Sequence, residues 1–358
     1  MFGPRFHQTF EVDYTHMKHM KHMKTLGLVT TLLLMAACSS EPASNDTNET
    51  ETTSQDITEA IFTETSADCE EYINEYFSTV KDIKRNVGFE GTVSVEKGSS
   101  GCTILVNGIP NHNFNDATAS FATDVAEVTR SFTLKQNPTK ASTPTELSQG
   151  YFDAIMLNGV VLDMLSAGCY RPTSPQANPQ GIVAVGCTPI DPWLVDPLGI
   201  DSKFGADAHN AHTQPDGTYH YHGSPMAMFN DSPGSEGSPV IGFAADGFPI
   251  FGSYFKDPAT GNVRKAVSGY TLKQGNRPGP DNTNPGGSYT GLYIDDYAFT
   301  GAGDLDECNG MTVNGQYGYY VTEGYPWVLK CLSGTPHSSF RKTTNKAKQD
   351  PSYWHHEH

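Results

Sequence analysis

The chain has 358 residues, of which 40 are acidic and 23 are basic, so its formal net charge at pH 7 is -17. That length is enough for one large domain or two modest domains with a buried core. So acidic a chain repels nucleic acid and anionic membrane surfaces, and no basic stripe offsets the charge. The composition therefore argues against nucleic acid as a partner and favours cations and neutral molecules.

The first 37 residues have the pattern of a secretory signal. A basic region follows Met17, a candidate start residue, and precedes an apolar run over 26–35. The run is shorter than the roughly 20 residues that span a bilayer. The next letters, MAAC (35–38), resemble the lipobox of bacterial lipoproteins, although Leu usually stands where Met35 does. We therefore expect export, lipid attachment at Cys38 and an outer-membrane location, periplasmic or surface-exposed; secretion without a lipid is the alternative.

Residues 38–67 are rich in Ser, Thr, Asn and Glu, and 39–67 contain seven acidic residues but no Lys or Arg. Such a segment buries too little apolar surface to fold, so we predict a disordered acidic tether. A single domain is expected over 68–340, followed by a flexible tail over 341–358. At the start of this domain, 68–85 place apolar residues at intervals of three and four, which predicts an amphipathic helix.

Six cysteines remain beyond Cys38, an even number that predicts disulfides in an exported chain. Six cysteines allow 15 pairings. Pairing of neighbours along the chain predicts the bonds Cys69–Cys102, Cys169–Cys187 and Cys308–Cys331. The absence of a CxxC motif argues against a thioredoxin-like redox site or a zinc knuckle.

Beyond residue 86 the sequence alternates apolar runs with turn dipeptides. Four apolar segments contain an Asn-Gly or Asp-Gly dipeptide, and each dipeptide favours a type I′ hairpin turn. The segments are ILVNGIP (104–110), IMLNGVV (155–161), GFAADGFPIFG (242–252) and the one around Asn314-Gly315. With 35 glycines and 23 prolines, this pattern predicts a mainly β fold, an antiparallel, hairpin-rich sandwich or barrel-like domain with an N-terminal amphipathic helix. Whether the hairpins are an internal repeat stays open, because their flanking residues do not align.

The turn residues of one hairpin predict the register of its two strands. In QPDGT (214–218), Pro, Asp and Gly suit a three-residue loop closed by a G1 bulge, so Gln214 pairs with Thr218. Counting outward opposes Thr213 to Tyr219, His212 to His220, Ala211 to Tyr221 and Asn210 to His222.

Opposed residues share a face of a sheet, and side chains alternate along each strand. One face therefore carries Asn210, His212, His220 and His222, and the other carries Ala211, Thr213, Tyr219 and Tyr221. Three imidazoles so placed can bind one ion at about 2.0–2.1 Å per nitrogen, as in catalytic zinc sites and several copper and iron sites. The alternative is a hairpin with an ordinary polar histidine face and tyrosines in the core.

The segment AHTQPDGTYHYHG (211–223) resembles the signature of the YHYH-domain family of exported bacterial proteins. Further segments resemble that family in the same order and extend the resemblance over roughly 100–338: NGIPNH (107–112), LNGV (157–160), GFAADGFPIFG (242–252), GDLDECNG (303–310) and YPWVLKCLSGTP (325–336). The resemblance implies no activity, because the family is functionally uncharacterised. His209 and His337 depart from the expected Asn and Asp, so neither receives a role.

Other polar residues are weaker candidates. His112 is a candidate fourth ligand or a base beside the ion, or else a structural histidine. Asp246 is a turn residue or, alternatively, a metal ligand or general base. Either Asp246 or Asp207 could orient a ligand histidine. GDLDECNG offers three oxygen donors for Ca²⁺, although it lacks EF-hand spacing and also suits a structural turn pinned by a disulfide; the donors are Asp304, Asp306 and Asn309.

These patterns support three functional hypotheses and leave open whether the protein is an enzyme. The first is a lipid-anchored envelope protein that binds zinc, copper or iron through His212, His220 and His222, for hydrolysis of a small molecule or for redox chemistry. The second is a non-catalytic module that binds a glycan or another envelope protein. The third is a metal carrier. No GxSxG, P-loop or dinucleotide motif suggests another chemistry.

Overall fold

Short β-strands account for nearly all regular structure in the computed structural model, which describes residues 54–200, 202, 204–230 and 232–342. Three 3₁₀ helices lie at Cys69–Tyr72, Ile294–Asp296 and Ser338–Phe340 within these ranges. The strands are β1 Gln55–Asp56, β2 Asn74–Asp82, β3 Val87–Lys97, β4 Gly101–Val106, β5 Arg130–Lys135, β6 Thr145–Glu146, β7 Ala154–Met156, β8 Val161–Leu162, β9 Cys169–Tyr170, β10 Ile182–Val183, β11 Ala211–Thr213, β12 Tyr219–Tyr221, β13 Val240–Ala244, β14 Pro249–Phe251, β15 Tyr254–Lys256, β16 Val263–Lys265, β17 Tyr270–Leu272, β18 Tyr297–Phe299, β19 Gly310–Val313, β20 Gln316–Tyr320 and β21 Cys331–Leu332.

Several predicted features lie outside the described residues: the signal segment, Cys38 and most of the tail. Intrachain contacts divide the chain after Thr50, and every described residue belongs to the second part. No helix among the described residues has the length and apolar character needed to cross a bilayer.

The N-terminal sheet has five strands in the order β1-β2-β3-β4-β5. β1 runs parallel to β2, and the remaining neighbours are antiparallel. Its buried side chains are mainly β-branched or aromatic and join one core with the next sheet; they include Val93, Val95, Ile104, Phe132 and Leu134. These residue types fit a pleated, half-buried surface, which explains the strand structure.

The predicted helix over 68–85 is wrong. Only Cys69–Tyr72 is helical, capped by the Asp68 carboxylate, which accepts a hydrogen bond from the Glu70 amide. From Asn74 the chain forms β2, all nine residues of which pair with β3. Asn86 takes a left-handed φ of 57° in the turn between these strands. The apolar residues over 68–85 fit the strand period of two residues as well as the helical period of 3.6. Hydrogen bonds to β3, which the sequence pattern could not reveal, satisfy the backbone of this segment as a strand.

The predicted tether ends earlier than residue 67. Gln55 and Asp56 form β1, and Ile57 is buried in the core region. The Phe62 amide donates to the Met228 carbonyl at 3.0 Å, and Glu64 accepts from the Val240 amide at 2.9 Å. The acidic composition predicted disorder, but hydrogen bonds to distant parts of the chain order residues from 54 onward.

The larger sheet has eight strands in the order β11-β12-β8-β7-β13-β14-β20-β19. It consists of four antiparallel hairpins: β11–β12, β7–β8, β13–β14 and β19–β20. The first half of the sheet consists of the hairpins β11–β12 and β7–β8, joined by the parallel pair of β12 with β8. The second half consists of β13–β14 and β19–β20, joined by the parallel pair of β14 with β20. The antiparallel pair β7–β13 joins the two halves. The sheets are open, so the fold is mainly β and rich in antiparallel hairpins but contains no closed barrel.

The two halves of this sheet repeat one pattern with matching registers. The pair Leu162–Tyr221 in one half corresponds to Ile250–Tyr319 in the other. His212–His220 corresponds likewise to Met311–Gly318. The segment YHYH (219–222) therefore corresponds to YGYY (317–320), and the structure shows the internal repeat that the sequence left open.

Three of the four turn dipeptides close hairpins. Asn314 and Gly315 both have positive φ, 51° and 85°, as a type I′ turn requires. The segments around Asn158 and Asp246 close β7–β8 and β13–β14 with a positive φ only at the glycine, 88° at Gly159 and 95° at Gly247. Asn107-Gly108 closes no hairpin, because the chain after β4 leaves the sheet and returns only at β5.

The disulfide prediction is confirmed. The three bonds join neighbours along the chain, Cys69 with Cys102, Cys169 with Cys187 and Cys308 with Cys331.

Candidate metal centre

Three histidines converge on the face of the hairpin β11–β12, in the predicted register. The Nε2 atoms of His220 and His222 lie 3.0 Å apart, and those of His222 and His212 lie 2.9 Å apart. Nitrogen atoms of all three rings fall within 4.8 Å of one another. Tetrahedral coordination at about 2.0–2.1 Å needs a nitrogen–nitrogen separation of about 3.3 Å, so the two contacts of 2.9 and 3.0 Å need to lengthen by only a few tenths of an ångström.

Backbone carbonyls determine the tautomers of two of these rings. Nδ1 of His212 lies 2.6 Å from the Phe204 carbonyl, and Nδ1 of His220 lies 3.2 Å from the Thr218 carbonyl. A carbonyl can only accept, so both Nδ1 atoms carry the proton and both Nε2 atoms present a lone pair to the cluster. Nδ1 of His222 has no hydrogen-bond partner of good geometry, but the Met164 backbone beside this ring opposes the lowering of its pKa, as an acceptor near an N–H does. A proton on Nδ1 leaves the Nε2 lone pairs of all three rings facing one another, a repulsion that a cation would relieve.

Burial keeps the cluster in the form that metals bind. His220 and His222 are each 3% exposed, whereas His212 is partly exposed. Burial lowers the pKa of His212 and holds the pKa of His220 and His222 well below the ordinary value. All three rings are therefore neutral at pH 7, as nitrogen ligands must be.

An aromatic and aliphatic wall adjoins the cluster. The ring centroid of Phe204 lies 6.0 Å from that of His212 and 6.2 Å from that of His222. Next to His222, Gly223 is covered closely by Leu198, whose Cδ1 would lie 2.3 Å from an added Cβ. These two side chains pack on the side of the cluster that His212 and His222 form.

The tyrosines of the motif face the opposite side of the sheet and form a buried polar layer. The Tyr219 hydroxyl donates to the Asp207 carboxylate at 2.8 Å. The Tyr221 hydroxyl lies 2.6 Å from His112 Nε2 and accepts from the Asn158 side chain at 2.9 Å. The segment NGIPNH thus connects the five-stranded sheet to the motif, while LNGV supplies Asn158.

Removal of the Tyr221 hydroxyl should be costly. In Tyr221→Phe, His112 Nε2 and one Asn158 donor lose a partner inside the core, so we expect a loss of about 1–3 kcal/mol in the free energy of unfolding. Urea denaturation measures this loss. Tyr151→Phe is the control, because its hydroxyl bonds Arg341 at an exposed site, and it should stay within about 0.5 kcal/mol of the native protein. Equal losses in the two variants would contradict the buried network.

Three predicted site residues lie elsewhere. His112 is not a fourth ligand, because it lies in the tyrosine layer with its Nε2 at the Tyr221 hydroxyl. Asp207 bonds Tyr219 and caps its own turn, so it orients no cluster histidine. Asp246 accepts from the Tyr319 hydroxyl at 2.6 Å and the Gly334 amide at 2.8 Å. These bonds make Asp246 a turn residue rather than a general base.

The calcium candidates also form a structural turn. The Asp304 carboxylate accepts hydrogen bonds from the two terminal guanidinium nitrogens of Arg264, from Nη2 at 2.7 Å and from Nη1 at 2.8 Å. Asp306 and Asn309 are the repeat counterparts of Asp207 and Asn210: Asp306 accepts from the Tyr317 hydroxyl at 3.0 Å, and Asn309 has a φ of 70° against 61° for Asn210. The Asp304 and Asp306 carboxylates thus already have protein donors, while Oδ1 of Asn309 is buried without a hydrogen-bond partner. Calcium binding by this turn stays a prediction.

Sequence reasoning missed an acidic pair beside the cluster. Asp163 follows β8 directly and accepts from the Gln214 side chain at 2.7 Å and from the Lys342 ammonium. Asp153 is also buried and accepts from the Met164 amide at 2.7 Å. The only local signal was a charged residue ending an apolar strand in VVLDM (160–164).

The second half of the sheet lacks the three histidines. Met311, Gly318 and Tyr320 occupy the positions equivalent to His212, His220 and His222. The histidine cluster therefore belongs to the first half of the repeat alone, which separates the role of the histidines from the needs of the fold.

Fold and site together define a mainly β protein of repeated hairpins that carries a buried three-histidine cluster. The chain belongs to the YHYH protein family, whose model matches residues 131–334, more than half of the chain. The match runs from β5 through the eight-stranded sheet and includes the cluster. No curated protein and no solved structure matches the chain.

Proposed function

We propose that this protein binds one transition-metal ion through Nε2 of His212, His220 and His222. The observation that carries the proposal is the convergence of these three atoms, with contacts of 2.9 and 3.0 Å. Two of the rings already present bare lone pairs, and the proton of the third can reside on its buried Nδ1, beside the Met164 backbone. Without an ion, the lone pairs of neighbouring Nε2 atoms repel one another in a buried place. A bound cation removes this repulsion because it accepts the lone pairs.

The donor set favours Zn²⁺, Cu²⁺ or Fe²⁺. Imidazole suits all three ions, and thiolates are excluded because the six domain cysteines form disulfides. Three protein ligands leave one position open, as in catalytic zinc sites. In such a site the ion would supply Lewis-acid chemistry to a water or substrate at that position. A small-molecule hydrolase is the activity that this arrangement serves best, with redox chemistry as the alternative for copper or iron.

Disulfides and the N-terminal sequence support an exported, lipid-anchored protein. Disulfides persist in oxidising compartments such as the bacterial periplasm and the cell surface. The MAAC segment at 35–38 provides a cysteine for lipidation, and the outer membrane would then hold the domain in the envelope. Radiolabelled palmitate incorporated by the native chain and lost in Cys38→Ser tests the anchor.

The metal proposal is tested by elemental analysis of protein purified without a histidine tag. After dialysis against Zn²⁺, the native protein should retain about one equivalent, and the triple variant His212→Ala, His220→Ala, His222→Ala should retain none. Met311→Ala is the matched control, because Met311 holds the equivalent place to His212 in the second half of the sheet. Zinc retained by the triple variant at the native level would refute the site.

The alternatives receive less support. A carrier must release its ion, but His220 and His222 are almost fully buried, which favours a resident ion. A glycan-binding module needs an exposed aromatic platform. One cleft of about 590 Å³ includes Trp193 and Tyr289 in its wall. Trp193 is only 8% exposed, and its indole nitrogen already donates to Asn284, so it offers little surface for sugar stacking.

A further inference from the structure

The carboxylate of Asp163 lies on the same side of the sheet as the histidine cluster. β8 runs parallel to β12 with Val161 beside His220 and Leu162 beside Tyr221. The ladder continues one step, since the Asp163 amide donates to the Tyr221 carbonyl at 2.9 Å. Asp163 is therefore the neighbour of His222 on the adjacent strand, and side chains in register share a face.

The repeat shows where a side chain at this position goes. The counterpart of Asp163 is Phe251, which pairs with Tyr320, the counterpart of His222. The Phe251 ring stacks on the Tyr320 ring at 5.1 Å. It also covers Gly318, the counterpart of His220, so closely that an added Cβ would lie 2.5 Å from its Cε2 atom. By this equivalence Asp163 points over the places that His220 and His222 occupy.

Hydrogen bonds hold Asp163 beside the cluster rather than within it. Gln214 and Lys342 both donate to its Oδ2 atom, and its side chain is 6% exposed. Gln214 lies two residues beyond His212, just past the end of β11, where its amide bonds the Thr218 carbonyl. The nitrogen atoms that converge belong to the three histidines alone among the described residues. Asp163 is thus restrained as a fixed carboxylate next to the ligand set.

Two buried carboxyls, Asp153 and Asp163, lie close together in this region and differ in how well their ionised forms are stabilised. Burial and the nearby Asp163 raise the pKa of Asp153, which receives only one hydrogen bond, from the Met164 amide. Burial also raises the pKa of Asp163, but the Lys342 ammonium and the Gln214 amide, which contact it directly, oppose that rise. Asp163 is therefore the carboxyl of this pair whose ionised form has an adjacent cation.

We propose that Asp163 is a positioning residue of the metal site: its carboxylate accepts a hydrogen bond from the ligand at the open fourth position and disfavours anions there. This inference rests on the proposed metal site. The ligands favoured at the fourth position are those with an N–H or O–H group, such as water, alcohols or amides. The negative carboxylate of Asp163 attracts such a donor and repels a competing anion. Neutral substrates with such a donor are accordingly the class that the site would take.

The test uses the full chain loaded with Co²⁺, whose visible absorption reports the ligand at the open position, and sodium azide as the anion. Asp163→Asn should bind azide about tenfold more tightly than the native protein and should shift the cobalt bands before azide is added. Asp153→Asn is the matched control, since it replaces a neutral acid by a neutral amide. Its cobalt spectrum and azide affinity should stay within about twofold of native.

The outcomes separate the two proposals. Failure of the native protein to bind Co²⁺ would refute the three-histidine site itself. Normal Co²⁺ binding with the same spectrum and azide affinity in Asp163→Asn and native protein would overturn only the role of Asp163. If Asp163→Asn does not fold, Lys342→Met decides the matter, because Lys342 is partly exposed near the end of the described chain. Loss of its ammonium removes the cation that opposes the carboxylate charge, so azide should bind more weakly once the pH is high enough to ionise Asp163 in the variant; azide affinity equal to native at every pH tested would overturn the proposal.

Discussion

Zinc at a hundredfold excess over its dissociation constant should raise the free energy of unfolding of the native protein by about 2.7 kcal/mol. The reason is that the three converging nitrogens exist only in the folded chain, where residues from two strands meet. Binding to the folded state alone shifts the unfolding equilibrium in its favour. Urea denaturation with and without zinc, under conditions that keep the disulfides oxidised, measures the difference.

The same measurement on His220→Ala should show no zinc effect at that concentration. His220 is the middle residue of β12 and one of the three converging imidazoles, and two remaining imidazoles bind an ion far more weakly than three. Met311→Ala should respond to zinc like the native protein, since its position in the repeat carries no ligand. A zinc effect that persists in His220→Ala would mean that the ion binds elsewhere.

Arg277→Met should cost about 3–5 kcal/mol in the free energy of unfolding. The Arg277 guanidinium bonds both oxygens of Asp296, Nε at 2.6 Å and Nη2 at 2.5 Å, and both side chains are nearly fully buried. The substitution would leave the Asp296 charge without its partner inside the protein. Urea denaturation measures the loss, and faster proteolysis within 275–288 should accompany it, because the pair ties that loop to the 3₁₀ helix at Ile294–Asp296.

The control for this variant is Lys256→Met, which breaks an exposed ion pair with Glu236 and should cost less than about 1 kcal/mol. The pH dependence offers a second check. Burial alone would raise the pKa of Asp296, but hydrogen bonds and the charge of Arg277 hold it below the ordinary value. Its stabilising contribution is thus present above about pH 4 and is lost as the pH falls further. A flat acid limb in the native protein would contradict this assignment.

Local chemistry made the β11–β12 hairpin predictable. Gly217 has the positive φ, 84°, that the loop requires. The Gln214 amide bonds the Thr218 carbonyl at 2.9 Å, as counting from the turn predicts. Strand alternation has a period of two residues, so one correct turn assigns every side chain of the hairpin to a face. The disulfides were predictable for a similar reason, because each joins cysteines close along the chain.

Pairing between distant segments was not predictable. The helical spacing over 68–85 gave no information about β3, which pairs with that segment and makes it a strand. Asp163 meets the histidines only because β8 lies parallel to β12, more than 50 residues further along the chain. His112 reaches the tyrosine layer instead of the cluster because the five-stranded sheet packs against that side. Partners of this kind depend on the arrangement of whole sheets.

The sequence by itself determined the mainly β class, the disulfide pairs and the sorting of the YHYH motif into a histidine face and a tyrosine face. These features depend on turn geometry and alternation over a few residues. Only the tertiary structure decided that the hairpins form a repeated sheet, that one half alone carries the converging histidines and that Asp163 lies on the strand next to them. Those features depend on hydrogen-bonded ladders between strands far apart in the chain, whose register no local pattern encodes.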